Sequence, residues 1–291
     1  MNVLFYIACM NSIKTICVCG AGTMGSGIAQ VTAQAGFKTI QFDVNENMLD
    51  KSKIAIEKSL SFLVNKEKIT EENKQAILQN LSFTSDIKEC KADLIIEAII
   101  EKPEAKINLF NQLSIVNNTF TIYATNTSSI SINEIANACS FKENVVGMHF
   151  FNPATIMKLV EVVKANTTSH ATVSSIVAVC KQMNKVPVVC KDAPGFIVNR
   201  VARHYYLEAM KIVEQNMATI ENIDCLLEST GFKMGPFKLM DLIGMDINYS
   251  VSNIVWEALN KPERLKPSTL QQQKVLAGEL GRKTGKGFYK Y

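Results

Sequence analysis

The sequence predicts an α/β protein with a mostly parallel sheet, followed by a second, all-α domain. Short apolar runs alternate with helical patterns as far as Cys190, whereas strand signals vanish after Pro194. A chain of 291 residues is long enough to form two hydrophobic cores. We therefore expect an N-terminal extension over residues 1–12, an α/β domain over residues 13–192 and a helical domain over residues 193–291.

The N-terminal part begins with a strand, a helix and a second strand. Ile13–Cys19 is a short apolar run that ends at a glycine, which is typical of a buried strand. The stretch from Gly25 to Gly36 has apolar residues at helical spacing, and a second glycine ends it. Thr39–Phe42 then returns to a strand pattern. Strand, helix and strand within about thirty residues form one βαβ unit.

The remaining elements follow from length and periodicity. Long amphipathic patterns predict helices, and short apolar runs predict buried strands. In the first domain, helices are expected at Glu46–Lys66, Glu71–Leu81, Pro103–Val116 and Ser169–Met183, and strands at Leu94–Ile100, Phe120–Ala124, Val145–Phe150, Leu159–Val163 and Val186–Cys190. In the second, helices are expected at Phe196–Gln215, Ile220–Glu228, Ile247–Leu259 and Leu270–Ala277.

Composition argues against a nucleic-acid-binding, membrane-spanning or secreted protein. A net charge of +4 is too small to predict nucleic-acid binding, and no apolar run is long enough to span a bilayer. The opening stretch Met1–Met10 lacks the basic start of a signal peptide. The eight cysteines are scattered without a CxxC pair, so we expect reduced thiols, no metal site and a cytoplasmic protein. Cys17 and Cys19 fit alternate positions of a buried strand better than a metal pair.

A glycine pattern follows the first strand and opens the first helix. Gly20 permits a tight turn, Gly22 lets the backbone approach a pyrophosphate, and Gly25 allows close packing of helix on strand. Asp43 ends the second strand, 18 positions after Gly25, where an acid can accept both ribose hydroxyls. The pattern predicts a Rossmann-type dinucleotide site. Because Asp43 would repel a 2′-phosphate, NAD is favoured over NADP.

Two further segments carry chemistry at strand ends. The run Thr125–Ser129 follows a predicted strand, at the edge where open α/β sheets bind ligands, although such runs are also ordinary turns. His149 ends another strand, and imidazole suits the removal of an alcohol proton near neutral pH. Glu161 lies on the strand that returns after Asn152-Pro153 and could orient the ring. A histidine with a purely structural role in the core fits these residues equally well.

Eight sequence motifs are distributed along the chain. They are VCGAGTMGSGIA (Val18–Ala29), EAIIEK (Glu97–Lys102), TNTSSISI (Thr125–Ile132), GMHFFNP (Gly147–Pro153), MKLVEVV (Met157–Val163), KDAPGFIVNR (Lys191–Arg200), MGPF (Met234–Phe237) and GRKTGKGFYKY (Gly281–Tyr291). Together they resemble the 3-hydroxyacyl-CoA dehydrogenase family, and in particular its short bacterial 3-hydroxybutyryl-CoA dehydrogenase branch. The resemblance runs from about Ile13 to the last residue, and the combination of GMHFFNP with DAPGFIVNR at this distance is highly specific.

The resemblance implies an NAD-dependent oxidation of (S)-3-hydroxyacyl-CoA to 3-ketoacyl-CoA and its reversal. His149 would be the general base, Glu161 its orienting carboxylate, and Ser128 and Asn199 the groups that hold the reacting oxygen or the thioester. Thr125 stands where the family usually has a serine. The implied dinucleotide contacts are Gly20, Gly22, Thr23, Met24, Gly25, Asp43, Glu101, Lys106, Ser128, Asn152 and Lys283, and the implied coenzyme A contacts are Ser59, Lys66 and Ser128.

The resemblance also implies a homodimer formed through the helical domain, which would close over the acyl chain. From the net charge and the short apolar runs, we expect neither nucleic acid nor a membrane as a partner. Three alternatives stay open on the sequence. The first is a related β-hydroxyacid dehydrogenase that acts on a free acid, a class that generally uses a lysine in place of the His149–Glu161 pair. The second is a non-catalytic dinucleotide-binding relative. The third is a module separated from a larger β-oxidation enzyme, although no hydratase segment is present in the sequence.

Overall fold

The computed structural model describes residues 13–291 as two units, the first ending at Asp192 and the second spanning Ala193–Tyr291. The expected extension over residues 1–12 lies outside the described residues. The predicted fold class is confirmed, because the first unit holds a mostly parallel sheet and the second unit is helical.

The first unit contains one eight-stranded sheet in the order β3-β2-β1-β4-β5-β6-β7-β8. Neighbouring strands are parallel except β6 and β7, which run antiparallel. The order reverses between β1 and β4, which creates a crevice at the carboxyl ends of these two strands. The strands are β1 (Thr15–Cys19), β2 (Lys38–Phe42), β3 (Leu81–Thr84), β4 (Leu94–Glu97), β5 (Ile122–Thr125), β6 (Val145–Phe150), β7 (Leu159–Lys164) and β8 (Val186–Lys191).

The central strands are apolar on both faces because helices cover the sheet. Ile16, Ile96 and Val146 are fully buried in one core that also includes residues of the first two helices. The two edge strands, β3 and β8, are more exposed. The helices of this unit are α1 (Thr23–Gln34), α2 (Glu46–Asn65), α3 (Glu71–Gln79), α4 (Pro103–Val116), α5 (Ile132–Asn137) and α6 (His170–Gln182).

Three elements of the first unit differ from expectation. The expected helix to Leu81 ends at Gln79, and Leu81 instead begins β3, a short edge strand whose pairing with β2 outweighs its weak local pattern. The strand β4 ends at Glu97, where the carboxylate is held by other side chains, and does not continue to Ile100. Helix α5 was not expected because only six residues form it, capped by Ser131.

The second unit is formed by five helices around their own core. Met210, Phe237, Met240 and Met245 are fully buried there, whereas Met217 is 71% exposed. The helix at Pro236 was not expected, although proline is favoured at a first helical position. The helices are α7 (Val198–Glu214), α8 (Ile220–Ser229), α9 (Pro236–Ile243), α10 (Met245–Ala258) and α11 (Thr269–Leu276).

Two buried carboxylates attach the C-terminal segment to these helices. Asp224 on α8 accepts a hydrogen bond from the hydroxyl of Tyr289 at 2.9 Å. Asp241 on α9 accepts from the backbone N–H groups of Phe288 and Tyr289, both at 2.9 Å. The segment is therefore a structural part of this unit. Among the helices of residues 13–291, none has both the length and the apolarity required to cross a bilayer.

Candidate active site

The glycine loop after β1 is packed tightly at both ends and open in the middle. A Cβ at Gly20 would lie 2.6 Å from the carbonyl oxygen of Ala98, and a Cβ at Gly25 would lie 1.9 Å from the carbonyl oxygen of Gly20. A Cβ at Gly22 would meet nothing within 4 Å. The outer glycines are thus required by protein packing, while Gly22 borders space that a ligand can enter. This arrangement fits a pyrophosphate approaching the backbone.

The start of α1 adds electrostatic complementarity to the loop. Gly22 is the N-cap residue and gives no side-chain cap, and the first turn, which includes Thr23 and Met24, carries no acid. The first N–H groups of a helix lack intrahelical partners and attract anions. The loop therefore offers both room and hydrogen-bond donors for a phosphate group.

Asp43 lies directly after β2 and supports the same loop. Its Oδ2 accepts from the N–H of Ala21 at 2.8 Å, and its Oδ1 accepts from the N–H of Asn45 at 2.9 Å. The side chain is only partly buried. Each carboxylate oxygen can accept a second hydrogen bond, so ribose hydroxyls can still bind. The loop and Asp43 together fit a dinucleotide.

A cavity of about 360 Å³ joins several of the expected ligand contacts. Gly22 and Thr23 line it from the loop, Ser59 from α2, and Asn152 from the turn between β6 and β7. Lys66 is not among the lining residues; it is exposed at the C-terminal end of α2, with its Nζ 5.8 Å from the ring centroid of Phe62. Three expected cofactor contacts and one expected coenzyme A contact thus line one cavity.

His149 and Glu161 form a buried pair across two strands. The antiparallel register of β6 and β7 sets the two residues opposite each other, so that their side chains emerge on the same face. The His149 Nδ1 lies 2.7 Å from the Glu161 Oε2. The two residues are 5% and 1% exposed. A carboxylate at this distance accepts a hydrogen bond from the Nδ1–H group and thereby fixes the tautomer of the ring.

A network of two carboxylates and one lysine lies at the carboxyl end of β4. The Lys106 Nζ is 2.7 Å from the Glu97 Oε1 and 3.1 Å from the Glu101 Oε2. Glu97 and Lys106 are 0% and 1% exposed, whereas the Glu101 side chain is 40% exposed. Lys106, which was expected to contact the dinucleotide, thus forms ion pairs with both Glu97 and Glu101.

Opposing effects act on the two carboxylates of this network. Burial raises the pKa of Glu97 above its ordinary value, although Lys106 counteracts the shift. Burial also tends to raise the pKa of Glu101, but the charge of Lys106 and the hydrogen bond from Thr127 outweigh it, so the pKa of Glu101 is lowered.

The same network positions the loop that carries Ser128. The Glu101 Oε1 accepts from the backbone N–H of Ser128 at 3.0 Å and from the hydroxyls of Thr127 and Ser129 at 2.5 and 3.1 Å. One carboxylate oxygen thus fixes three consecutive residues, and its other oxygen is held by Lys106. The loop after β5 is anchored at the crevice.

Three residues position this site in ways that the sequence analysis did not predict, although two of them lie in the candidate run Thr125–Ser129. The Asn126 Oδ1 accepts from the N–H of Phe150 at 2.8 Å, which ties the Ser128 loop to the end of the strand that carries His149. The Thr125 hydroxyl donates to the Glu97 Oε2 at 2.6 Å. An acid inside the apolar run at Leu94–Ile100 was the available signal for Glu97. Nothing in the sequence indicated the partner of Asn126.

Two expected site residues belong to the second unit. Asn199 lies in the first turn of α7, where its carbonyl oxygen accepts from the Arg203 Nε at 3.2 Å. The Lys283 Nζ contacts both carboxylate oxygens of Asp246 at 2.5 and 2.6 Å. Both remain predicted ligand contacts.

Known proteins resemble the chain along nearly its whole length. Residues 15–193 match the family model of the 3-hydroxyacyl-CoA dehydrogenase NAD binding domain, and residues 195–291 match that of the C-terminal domain. The 3-hydroxyadipyl-CoA dehydrogenase of Escherichia coli K12 is 43% identical over 96% of this chain, which spans 59% of that protein. The mitochondrial hydroxyacyl-coenzyme A dehydrogenase of Rattus norvegicus is 42% identical, with 96% of this chain and 91% of the relative covered.

A solved structure shows the same similarity to this family. The crystal structure of (S)-3-hydroxybutyryl-CoA dehydrogenase from Ralstonia eutropha superposes with a TM-score of 0.93 at 35% identity, covering 96% of this chain and 99% of that one. The resemblance read from the motifs is therefore confirmed. With both family domains matched in order, and with the glycine loop and the Asp43 geometry that fit NAD, this chain belongs to the 3-hydroxyacyl-CoA dehydrogenase family.

Proposed function

We propose that this NAD-dependent member of the family interconverts a short (S)-3-hydroxyacyl-CoA and its 3-ketoacyl-CoA, with 3-hydroxybutyryl-CoA as the preferred substrate. The observation that carries the proposal is the His149–Glu161 pair, two buried groups 2.7 Å apart on neighbouring strands. A base held by a buried carboxylate is suited to removing the hydroxyl proton during an alcohol oxidation.

His149 acts as the general base in the oxidation. Its Nδ1–H group donates a hydrogen bond to Glu161 and keeps its proton. Nε2 is therefore the ring nitrogen that takes the proton from the substrate hydroxyl. The positive charge that develops on the imidazole is stabilised by the Glu161 carboxylate. In the reduction His149 returns the proton to the ketone oxygen, as microscopic reversibility requires. Bound NAD supplies the chemistry of hydride acceptance and return.

Ser128 and Asn199 orient the reacting group. The Ser128 hydroxyl contacts the substrate oxygen beside the nicotinamide, a role that the anchoring of the Ser128 backbone by Glu101 supports. Asn199 holds the thioester carbonyl from the first turn of α7. Neither group changes its charge, and both act by placing the hydroxyl in line with His149.

The cofactor contacts follow the loop and the crevice. Gly20, Gly22, Thr23, Met24 and Gly25 surround the pyrophosphate, and Asp43 binds the adenosine ribose. Glu101, Lys106 and Asn152 are further dinucleotide contacts, with Lys106 held by Glu101, and Lys283 is the contact from the C-terminal segment. The coenzyme A contacts are Ser59, which lines the same cavity as Gly22, and Lys66, together with Ser128.

The protein acts as a cytoplasmic homodimer that associates through its helical unit. Apolar side chains that a dimer interface could cover are exposed on that unit, among them Met217 at 71%, Leu226 at 64% and Leu276 at 79%. Seven free cysteines among residues 13–291 fit a reducing compartment.

Steady-state kinetics with a panel of ketones test the proposed substrate. The panel contains acetoacetyl-CoA, free acetoacetate, a C16 3-ketoacyl-CoA and 3-oxoadipyl-CoA, each with NADH and with NADPH. The last thioester is included because the Escherichia coli relative is named for the adipyl substrate. We expect the highest kcat/KM with acetoacetyl-CoA and NADH, and a value lower by a factor on the order of 10² with free acetoacetate, since the coenzyme A contacts are lost.

Four outcomes would each contradict a part of the proposal. Equal turnover of acetoacetate would indicate a free-acid dehydrogenase, and NADH binding without turnover of any ketone would indicate a non-catalytic relative. A higher kcat/KM with the C16 or the adipyl thioester would replace the short monocarboxylic substrate with a longer or dicarboxylic one. Sedimentation of the purified protein as a monomer at micromolar concentration would refute the dimer.

A further inference from the structure

The network at the end of β4 contains more negative than positive charge. Glu97 and Glu101 share the single ammonium of Lys106, at 2.7 and 3.1 Å. With both carboxylates ionised, the three groups have a net charge of −1. Because Glu97 and Lys106 are buried, solvent and salt screen this charge less than they would at the surface.

The contacts of Glu97 fit the ionised form. Its Oε1 accepts from the Lys106 Nζ and from the backbone N–H of Ile99, both at 2.7 Å. Its Oε2 accepts from the Thr125 hydroxyl at 2.6 Å. Three donors directed at one carboxylate stabilise its charge and counteract part of the cost of burial, which still raises the pKa of Glu97.

Glu97 also lies at the crevice in which open α/β sheets bind their ligand. It is the last residue of β4, beside Cys19 of β1 on one side and Thr125 of β5 on the other. The strand order reverses between β1 and β4, and the glycine loop passes so close to the residue after Glu97 that Gly20 has no room for a Cβ. The negative charge is therefore next to the dinucleotide site.

We infer that Glu97 makes the cofactor site favour the oxidised dinucleotide, because the nicotinamide ring is cationic in NAD⁺ and uncharged in NADH. The residue acts through its charge and through its hold on Lys106, without contact with the cofactor. The inference rests on the proposed function, which sets the nicotinamide beside the Ser128 loop. When NAD⁺ is bound more strongly relative to NADH, the equilibrium on the enzyme shifts towards the side that contains NAD⁺. That side is the hydroxyacyl-CoA, so its oxidation on the enzyme becomes less favourable.

Dissociation constants of NAD⁺ and NADH, measured by calorimetry on the free enzyme, test the inference without turnover. In Glu97→Gln the ratio Kd(NAD⁺)/Kd(NADH) should rise about fivefold, which corresponds to about 1 kcal/mol. Thr125→Val removes one hydrogen bond to Glu97 and keeps the charge, so the ratio should stay at the wild-type value. Glu104→Gln removes an exposed charge from the same helix, α4, and should also leave the ratio unchanged.

The outcomes separate a charge effect from a structural one. A ratio in Glu97→Gln that equals the wild-type ratio, including the case in which both constants rise by the same factor, would overturn the inference. A shift of equal size in Thr125→Val would overturn it as well. If Glu97→Gln does not fold, Glu101→Gln removes the other carboxylate and must shift the ratio in the same direction. A wild-type enzyme that binds neither dinucleotide would contradict the proposed function instead.

Discussion

The buried pair of His149 and Glu161 makes one substitution particularly informative. Glu161→Gln keeps the size of the side chain and an oxygen that can accept the Nδ1 proton, but it removes the negative charge. In the oxidation a positive charge develops on the ring 2.7 Å from that position. A hydrogen bond to a charged group contributes about 1.5–3 kcal/mol. At 1.36 kcal/mol per tenfold in rate, we expect kcat to fall roughly ten- to 150-fold.

The assay is the formation of NADH from (S)-3-hydroxybutyryl-CoA and NAD⁺, followed by absorbance, together with the Kd of NADH and the melting temperature. The Kd should stay within about twofold of the wild-type value, because the substitution alters the ring rather than the cofactor contacts. Glu143→Gln is the matched control. Glu143 is an exposed residue just before the N-terminal end of β6, whereas His149 lies near the C-terminal end of that strand. The reasoning is refuted if Glu161→Gln oxidises the substrate at the wild-type kcat, or if the control loses as much activity.

Three further predictions concern the glycine loop, the acid after β2 and the C-terminal segment. Gly22→Ala should keep the wild-type melting temperature but bind NADH about tenfold or more weakly, because its Cβ enters the open space that the pyrophosphate would occupy. Gly25→Ala, with a Cβ 1.9 Å from a backbone oxygen, should melt about 3–10 °C lower. A lower melting temperature for Gly22→Ala than for Gly25→Ala in calorimetry would contradict this. Asp43→Asn keeps an acceptor for the Ala21 N–H but loses the charge, so the Kd of NADH should rise about tenfold with little change for NADPH; an equal change in both constants would argue against a ribose contact. Hydrogen bonds from two lysines lower the pKa of Glu279 to about 2, below its unfolded value, so its stabilisation is present above pH 4.5 and is lost as the pH falls towards 2. Glu279→Gln should therefore show a smaller fall in melting temperature between pH 5 and pH 2.5 than the wild type, and parallel curves would show that the carboxylate is not stabilised in this way.

The sequence predicted those features that depend on local pattern. The glycine loop, the acid after the second strand and the turn between the strands of His149 and Glu161 are all set by residues close in the chain. Pro103–Val116 and Val145–Phe150 were predicted with the bounds that the structure has. The strand pairing of His149 with Glu161 follows from a short connection between antiparallel neighbours.

Features that depend on distant partners were not predictable in this way. The strand β3 is short and half-exposed, and only its pairing with β2 distinguishes it from the end of a helix. Glu97 lies in an apolar run, and its function depends on Lys106 nine positions later and Thr125 on the next strand. Asn126 bonds to Phe150, a contact that exists only once β5 and β6 are adjacent.

The central claim is that His149 transfers the alcohol proton beside the bound dinucleotide. The most direct measurement is the single-turnover rate of NADH oxidation by acetoacetyl-CoA in His149→Gln, made alongside the Kd of NADH for the same variant. We expect the rate to fall by a factor on the order of 10²–10⁴ while the Kd stays within about twofold of the wild-type value. A variant that oxidises NADH at the wild-type rate would remove His149 from the mechanism and contradict the account.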